Sequence, residues 1–372
     1  MIGEFTMKKL LLSTAAVGLA LSAAPAQAQV SLDLGGHLKG YVAFADQDTT
    51  AGTEVNDFDI LRETEIHFTG ETTLDNGLTV GAHVEADTDS GDAFSVDESY
   101  AYFAGGFGRV NFGSEDGAAY LLQVAAPSAD SNVDGLRQYV KAENYSATGL
   151  SATQQGILAD GLDYDNDLVG DDEKITYLSP IFGGFQFGGS YTPDADGTTN
   201  SLNGVGTDDV DGDFGDAYEV AVRYEGDFEG VGVIAGAGYT EVSREAVTAL
   251  STEDDFEEWN VGLDLDIGAF GIGAVYTENN SGDTTADEFE TTVVGVDYTT
   301  GAFKLGASYL NNENNADGAG AEVETDRYSA GVVYSYGPGM SFRGSIHQVE
   351  HEVTGGDDID STSVLLGTQI NF

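Results

Sequence analysis

Residues 259–267 read WNVGLDLDI, and their pattern indicates the fold class. Apolar side chains stand on every second position from Trp259 to Ile267, with asparagine, glycine and aspartate between them. A period of two places consecutive side chains on opposite faces, so the stretch predicts a β-strand with one apolar and one polar face. No comparable stretch keeps a helical period, so the chain is predicted to be all-β. The same alternation recurs at 30–44, 218–225, 328–336 and 364–372.

The connections between these stretches alternate strictly in length, which predicts sixteen strands with every long loop on one side. An outer-membrane barrel has this segregation of loop length and an even number of strands. The sequence therefore predicts a 16-stranded antiparallel transmembrane β-barrel. Seven connections are short and contain glycine, at 75–77, 105–108, 180–184, 226–230, 268–271, 300–302 and 337–339. Eight are long and acidic, at 46–58, 87–97, 117–172, 193–216, 243–256, 279–288, 311–324 and 353–361.

The composition excludes several classes of protein. The 372 residues include 65 Asp and Glu, 13 Lys and Arg and no cysteine, for a formal charge of −52. A chain this negative repels phosphate backbones, which excludes nucleic acid as a partner. Without thiols there is no disulfide, thiolate nucleophile or cysteine-ligated metal site. A hydrophobic content of 41% is too high for a chain that never packs.

The beginning of the chain predicts export. Residues 8–28 contain two lysines, an apolar run and the small-residue motif AQA, in that order, which is typical of a secretory signal peptide. Residues 1–28 are therefore predicted to be a signal peptide, with 1–6 preceding the more natural start at Met7. Residues 29–372 are predicted to form a single barrel domain in the bacterial outer membrane.

Several stretches carry a resemblance to a known family. They are IHFTGE at 66–71 running into DNGL at 75–78, YAYFAGGFG at 100–108, ITYLSP at 175–180 followed by FGGF at 182–185, and QINF at 369–372. By their order and spacing, the chain from about Val30 to Phe372 resembles the general diffusion porins of Gram-negative bacteria, particularly the alphaproteobacterial type.

The resemblance implies a homotrimer of barrels, each with its third external loop folded inward as a constriction. It implies contact with outer-membrane lipid and lipopolysaccharide, and recognition of the terminal Phe372 by the outer-membrane assembly machinery. The expected function is a water-filled channel for passive diffusion of ions and small hydrophilic solutes.

The third long loop, at about 117–172, is far longer than the roughly 12 to 15 residues beyond which an unstructured loop is usually functional. That length supports an inward constriction independently of the family. The candidates for one side of the constriction are the acids Asp130, Asp134 and Glu143, and the loop also carries the bases Arg137 and Lys141.

In the family the opposite wall of the constriction is cationic and comes largely from the first strands. Lys39 has the parity of an inward side chain, whereas Arg62 shares the parity of apolar side chains on its strand, which leaves its direction open. Arg223 and Arg343 alternate with apolar neighbours and are predicted to face the lumen. The simpler interpretation of any single base is that it neutralises an adjacent carboxylate.

Three glutamates interrupt the expected basic wall. Glu65, Glu85 and Glu219 also have lumen parity on their predicted strands. A ring of carboxylates raises the local concentration of cations. The sequence therefore predicts a channel that prefers cations.

Three histidines share the lumen parity of these glutamates. They are His37, His67 and His83, on the first three predicted strands. Such a cluster could bind a transition metal or respond to protonation near pH 6.5. The alternative is that they are ordinary lumen residues.

Two aspartate-rich stretches invite a calcium interpretation. Both fail the EF-hand pattern, since Leu168 and Phe214 stand where that loop needs glycine. Loose binding of Ca²⁺ between acidic loops is the remaining cofactor expectation, and solvated loop charge is the alternative. The candidate ligands are Asp163, Asp165, Asp167, Asp209, Asp211 and Asp213.

Catalysis is not predicted. No serine or aspartate stands at a recognisable motif spacing from His347, His351 or the other histidines, and no Gly-x-Ser-x-Gly elbow is present. The alternative to a pore is an acidic, calcium-binding outer-membrane adhesin or a structural barrel without an open channel. Such a barrel would admit no small sugars in a liposome-swelling assay.

Overall fold

A computed structural model describes residues 30–50, 52–88, 94–130, 136, 140–195, 212–245, 254–282, 289–314, 322–354 and 356–372. Within these residues the chain forms sixteen antiparallel strands that close into one barrel. Each strand pairs with its neighbours in sequence, and the first pairs with the last. The predicted signal peptide lies outside the described residues.

The strands are β1 (Ser31–Gln47), β2 (Phe58–Thr73), β3 (Thr79–Asp87), β4 (Ser95–Gly105), β5 (Gly108–Ser114), β6 (Glu173–Leu178), β7 (Phe185–Thr192), β8 (Phe214–Phe228), β9 (Val231–Arg244), β10 (Phe256–Ile267), β11 (Phe270–Asn279), β12 (Phe289–Thr300), β13 (Phe303–Asn314), β14 (Val323–Gly337), β15 (Met340–Val353) and β16 (Ile359–Asn371). Between β5 and β6 lie α1 (Ala118–Leu121), a 3-10 turn (Tyr145–Ala147) and α2 (Ala152–Asp160). Of the helices in the described ranges, none is long and apolar enough to cross a membrane.

The predicted 16-stranded antiparallel barrel is confirmed, including its alternation of short and long connections. One strand end differs from the loop boundary predicted from the sequence. Residues 311–324 read as a polar loop, yet β13 continues to Asn314. The buried Asn312 side chain faces the lumen, where its amide donates to Thr291 Oγ1 at 2.7 Å. A strand end with a polar inner face therefore resembles a loop in sequence.

The strands place their polar faces inside the barrel and their apolar faces outside. In the stretch 259–267, Asn260 is 1% exposed and the neighbouring Trp259 is 36% exposed. Soluble proteins show the opposite arrangement. An apolar outer surface is the arrangement that suits a barrel surrounded by lipid.

Aromatic side chains form two rows on this outer surface. On five strands, two outward rings stand six positions apart, which is about 20 Å along a strand. Rings on neighbouring strands touch within each row, as in Phe303 with Tyr334 (centroids 4.8 Å apart) and Tyr309 with Tyr328 (5.0 Å). Two such girdles flank the apolar band of a membrane barrel. The five pairs are Phe185 and Tyr191, Tyr218 and Tyr224, Phe270 and Tyr276, Phe303 and Tyr309, and Tyr328 and Tyr334.

Candidate functional site in the barrel lumen

The third loop, residues 115–172, begins by running along the inner wall of the barrel. Its helix α1 contacts β7, β8 and β9. The chain then passes over three pairs of glycines, each pair on two adjacent strands and directly opposite in register. We call these six residues the glycine belt: Gly236 and Gly262, Gly273 and Gly295, and Gly306 and Gly331.

Each pair of the glycine belt seats one loop residue. Val124 lies over the first pair, Pro127 over the second and Ala129 over the third. A side chain at Gly295 would overlap the carbonyl oxygen of Pro127. The belt is glycine because the loop backbone approaches the wall too closely for a Cβ atom.

Asp130 fixes the end of this segment to the wall. Its carboxylate accepts a hydrogen bond from the Tyr41 hydroxyl (2.7 Å) and one from the Arg343 guanidinium (3.4 Å). The backbone of Asp130 has a φ of 48°, in the left-handed region that non-glycine residues seldom adopt. Burial raises the pKa of the Asp130 carboxyl, and these two donors offset part of the increase.

The side chain of Asp130 is 0% exposed in its ion pair with Arg343. The candidate acid and the candidate base thus meet each other against the wall. The simpler interpretation of a base, that it neutralises an adjacent carboxylate, therefore describes Arg343 and Asp130.

The second half of the loop is held by further polar contacts. Lys141 forms an ion pair with Asp163 at 2.9 Å, within the loop itself. The Glu143 carboxylate accepts from Ser361 Oγ at 3.2 Å and from Ser363 Oγ at 3.4 Å. Since both serines lie on β16, Glu143 ties the loop to the wall opposite α1.

Two buried bases anchor loop carbonyls, and neither was a predicted site residue. Arg327 on β14 donates to the Leu162 carbonyl at 2.7 Å. Lys174 on β6 donates to the Glu115 carbonyl at 2.6 Å and also to the Gly170 carbonyl. Lys174 therefore closes the base of the loop, where the chain leaves β5 and enters β6.

The wall formed by β1, β2 and β3 carries the three predicted histidines, with carboxylates between them. His37 lies 2.7 Å from Glu63, and His67 lies 3.1 Å from Glu65. Lys39, also predicted to face the lumen, is buried and pairs with Glu63 at 3.3 Å. Glu63 has the same parity as Glu65, so the sequence contained the signal that would have identified it.

The ring nitrogens of His83 also lie close to polar side chains. One ring nitrogen lies 2.6 Å from Glu85, which is also 3.3 Å from His67. The other ring nitrogen lies 2.7 Å from the Thr69 hydroxyl. The register pairs His67 with Glu85 and Thr69 with His83, so the two histidines meet diagonally, with ring centroids 5.7 Å apart.

Arg62 does not belong to the pore, and this corrects the prediction. Its register partner is Gly40, on the outward parity of β1. Arg62 is exposed together with Ile60 and Phe68, which occupy the same outer face of β2. In the sequence Arg62 shares the parity of apolar side chains, and in the structure it lies with them on the outer face.

The remaining predicted residues lie at separate places. Arg223 faces the lumen, where it donates to the Gln123 carbonyl at 2.8 Å. Asp213 stands immediately before β8, and its carbonyl accepts from the Glu245 amide at 2.9 Å. Outside the described residues lie Asp134, Arg137, Asp209 and Asp211.

The acids of the first aspartate-rich stretch face a cavity of about 510 Å³ between the third loop and the wall. Asp163, Asp165 and Asp167 contribute to its lining, together with the buried Glu258. In the described part of the chain, they are not among the groups whose ligand atoms all lie within 4.8 Å of one another. The all-carboxylate group with that property is Glu98, Asp116 and Asp171.

The last two histidines are structural parts of the wall. The ring nitrogens of His347 lie 2.9 Å from Ser329 Oγ and 3.0 Å from Ser345 Oγ. Those of His351 lie 2.8 Å from a threonine hydroxyl on β14 and 2.9 Å from the Tyr145 hydroxyl. Both rings are buried.

A model of the family described as Gram-negative porin matches residues 13–367. The chain belongs to the Gram-negative porin family. Its barrel therefore indicates a place in the outer membrane, and its family is one of channels rather than enzymes. A search of curated proteins gives no match to the chain.

Solved porin structures share the fold of this porin. The anion-selective porin from Comamonas acidovorans is 17% identical, with a TM-score of 0.60, and the match covers 92% of this chain and 100% of that chain. With the same coverage, a porin refined at 1.8 Å resolution is 17% identical with a TM-score of 0.58. A triple mutant of the Rhodopseudomonas blastica porin is 16% identical with a TM-score of 0.56, again over 92% and 100%. At these identities the likeness shows the fold alone.

The glycine belt gives a first prediction. The substitution Gly295→Ala should lower the free energy of unfolding by about 1 to 3 kcal/mol, because the new methyl group overpacks against Pro127. It should also change single-channel conductance, since the loop must shift toward the pore. The matched control is Gly189→Ala on the outer face of β7, where an added Cβ meets nothing closer than 3.5 Å. Equal effects of the two substitutions would contradict the seating of the loop.

Glu115 gives a second prediction, on pH. Burial raises the pKa of this loop carboxyl to about 7, although Arg109 and other neighbours oppose the shift. The folded state thus holds the proton more tightly than the unfolded state, so this group favours folding below about pH 4.5. That contribution is lost as the pH rises through about 7.

Because the amide is always neutral, Glu115→Gln should stabilise the protein at pH 8 by up to about 3 kcal/mol. Near pH 4.5 the same substitution should have little effect. Urea unfolding of the purified porin at both pH values measures the difference. A stability gain that does not vary with pH would refute the role assigned to this carboxyl.

Proposed function

We propose that this porin forms a water-filled channel for passive diffusion of ions and small hydrophilic solutes, and that the channel prefers cations. The observation that carries the preference is the pairing of its bases. Ten Lys and Arg residues lie in the described part of the chain, and at least five form ion pairs with carboxylates. These five are Lys39, Lys141, Arg223, Lys304 and Arg343.

Two more bases are withdrawn from the water of the lumen. Lys174 and Arg327 are buried and donate to loop carbonyls. By contrast, the side chains of Glu65 and Glu85 are partly exposed on the wall of β2 and β3. Carboxylates then set the potential that a permeating ion meets, and a negative potential favours cations.

The fold does not decide the sign of the selectivity. The Comamonas acidovorans porin is anion-selective by its description and has the same architecture. The proposal therefore depends on the side chains of this chain and is tested on them.

Reversal potentials across a KCl gradient should show preference for K⁺ over Cl⁻. Replacing both Glu65 and Glu85 by Gln should lower the permeability ratio about two- to five-fold, because each charge contributes roughly 0.5 kcal/mol at about 8 Å in water. The control replaces Glu324 and Glu352 by Gln, which removes the same charge from exposed, directly paired positions on β14 and β15. Anion selectivity of the unmodified porin would overturn the proposal. No conductance at all would favour the adhesin alternative.

We also propose that the porin is a homotrimer whose interface includes the outer faces of β15, β16 and β1–β5. Each strand from β6 to β14 carries an outward Tyr or Trp, such as Tyr177 on β6 and Tyr298 on β12. On the outer faces of the other seven strands, all of which the structure describes, Tyr and Trp are absent. Tyr and Trp mark the interfaces between lipid and water, so a wall without them suits contact with other subunits.

Single cysteines can test the trimer, because the chain has none of its own. With Ile60→Cys or Leu366→Cys, a short bis-maleimide should give covalently linked subunits in denaturing gels. With Leu305→Cys, on the aromatic side of the barrel, the reagent should give monomers only. Linked subunits from Leu305→Cys and none from the other two would place the interface on the opposite wall.

The other proposed interactions concern export, membrane insertion, lipopolysaccharide and Ca²⁺. We propose export through residues 1–28, insertion guided by the exposed terminal Phe372, and contact of the external loops with lipopolysaccharide. Loose Ca²⁺ binding is proposed at the cavity lined by Asp163, Asp165 and Asp167, which Glu258 also lines. Support comes from that crowding of carboxylates, since repulsion between them is relieved by a divalent cation.

A further inference from the structure

The wall of β1, β2 and β3 brings three of the five histidines of the chain together with carboxylates. Ring centroids lie 6.2 Å apart for His37 and His67, and 5.7 Å apart for His67 and His83. A glutamate stands between each neighbouring pair of rings. We call the set His37, Glu65, His67, Glu85 and His83 the histidine ladder.

We propose that His67, His83 and Glu85 form a binding site for a divalent transition-metal ion such as Zn²⁺ on the lumen wall. One ligand atom from each of these residues lies within 4.8 Å of the others. Imidazole nitrogen and carboxylate oxygen are the donors that zinc takes in sites with three protein ligands, and water occupies the fourth position.

The distances are close to those that an ion requires. Glu85 Oε1 lies 3.3 Å from His67 Nδ1 and 2.6 Å from His83 Nε2. Ligands about 2.0 to 2.1 Å from a tetrahedral ion are separated by about 3.3 Å. The first distance already fits, and the second requires a shift of less than about 1 Å at the ends of two side chains.

The second nitrogen of each ring is already oriented. His83 Nδ1 lies 2.7 Å from the Thr69 hydroxyl, and His67 Nε2 lies 3.1 Å from Glu65. Metal-binding histidines commonly use the nitrogen away from the metal in this way, which fixes the ring and strengthens the ligand. The Tyr100 ring, 5.3 Å from that of His83, limits the rotation of His83 further.

The other end of the histidine ladder is less suited to a cation. His37, Glu65 and His67 also bring their ligand atoms within 4.8 Å. However, the Lys39 ammonium lies beside them, 3.3 Å from Glu63, and Glu63 holds His37 Nε2 at 2.7 Å. The positive charge of Lys39 opposes an ion there, so the site is assigned to β2 and β3.

The site is accessible to solutes in the lumen. The side chains of His67, His83 and Glu85 are 29%, 14% and 19% exposed. A bound ion would therefore keep contact with lumen water. His347 and His351 differ in this respect, since both are buried and each ring has oxygen partners at both nitrogens.

Zinc binding by the full-length porin in detergent is the decisive measurement. After treatment with a chelator, isothermal titration with ZnCl₂ should show one ion per chain in the micromolar range. Both His83→Gln and Glu85→Gln should weaken binding more than 100-fold. Thr69→Ala should weaken it about 10-fold, because it removes only the group that orients His83. An unmodified porin that binds no Zn²⁺ below about 1 mM would overturn the site.

The control variant is His37→Gln, at the other end of the histidine ladder. It should bind Zn²⁺ within about three-fold of the unmodified porin. If His37→Gln abolishes binding and His83→Gln does not, the assignment to β2 and β3 is wrong. Circular dichroism of each variant shows whether the barrel has formed, and wild-type binding tests the site even if a variant fails to fold.

The effect on permeation rests on the proposed channel function and is measured separately. A bound ion adds positive charge to the wall, so micromolar ZnCl₂ should lower the K⁺/Cl⁻ permeability ratio of the unmodified porin and leave that of His83→Gln unchanged. Binding without any change in selectivity would uphold the metal site and refute its effect on permeation. A barrel that binds zinc but conducts no ions would refute the channel function alone.

Discussion

Lipid offers no hydrogen-bonding partners to a protein backbone, and this absence accounts for the closed barrel. Every backbone N–H and C=O group at membrane depth must be paired within the protein, and a sheet achieves this only by closing on itself. The pairing of β1 with β16 removes the last free edges. Closure also fixes one inner and one outer face for each strand, so the two-residue period of the sequence becomes a polar lumen and an apolar surface.

A closed barrel of sixteen strands is too wide to be filled by its own wall side chains, and here the third loop occupies part of the interior. Three pairs of glycines let its backbone lie directly on the wall. Buried polar contacts then hold it, among them Tyr41 and Arg343 with Asp130, and Arg327 with a loop carbonyl. Of the ten bases in the described residues, five bind groups of the loop, so fewer are left to attract anions.

The electrostatics of the lumen follow from the use of bases to bind the third loop. The 65 acids outnumber the 13 bases, which leaves a formal charge of −52, and several of the bases are buried or paired. On the wall of β1, β2 and β3, carboxylates alternate with histidines instead of arginines. The imidazoles supply the nitrogen donors that a transition metal prefers. One stretch of wall can therefore contribute both to ion preference and to metal binding.

The sequence alone predicts the strand number, the segregation of loop length and the inward parity of His37, Glu65, His67, His83 and Glu85, because a period of two is a local property of the chain. It also contained the parity of Glu63 and Arg62. The contacts between these groups, by contrast, are set by the three-dimensional fold. Tyr41 and Arg343 are 89 and 213 positions from Asp130, and the glycines of the belt come from six strands. Such contacts depend on register and on the path of the third loop, which no local period records.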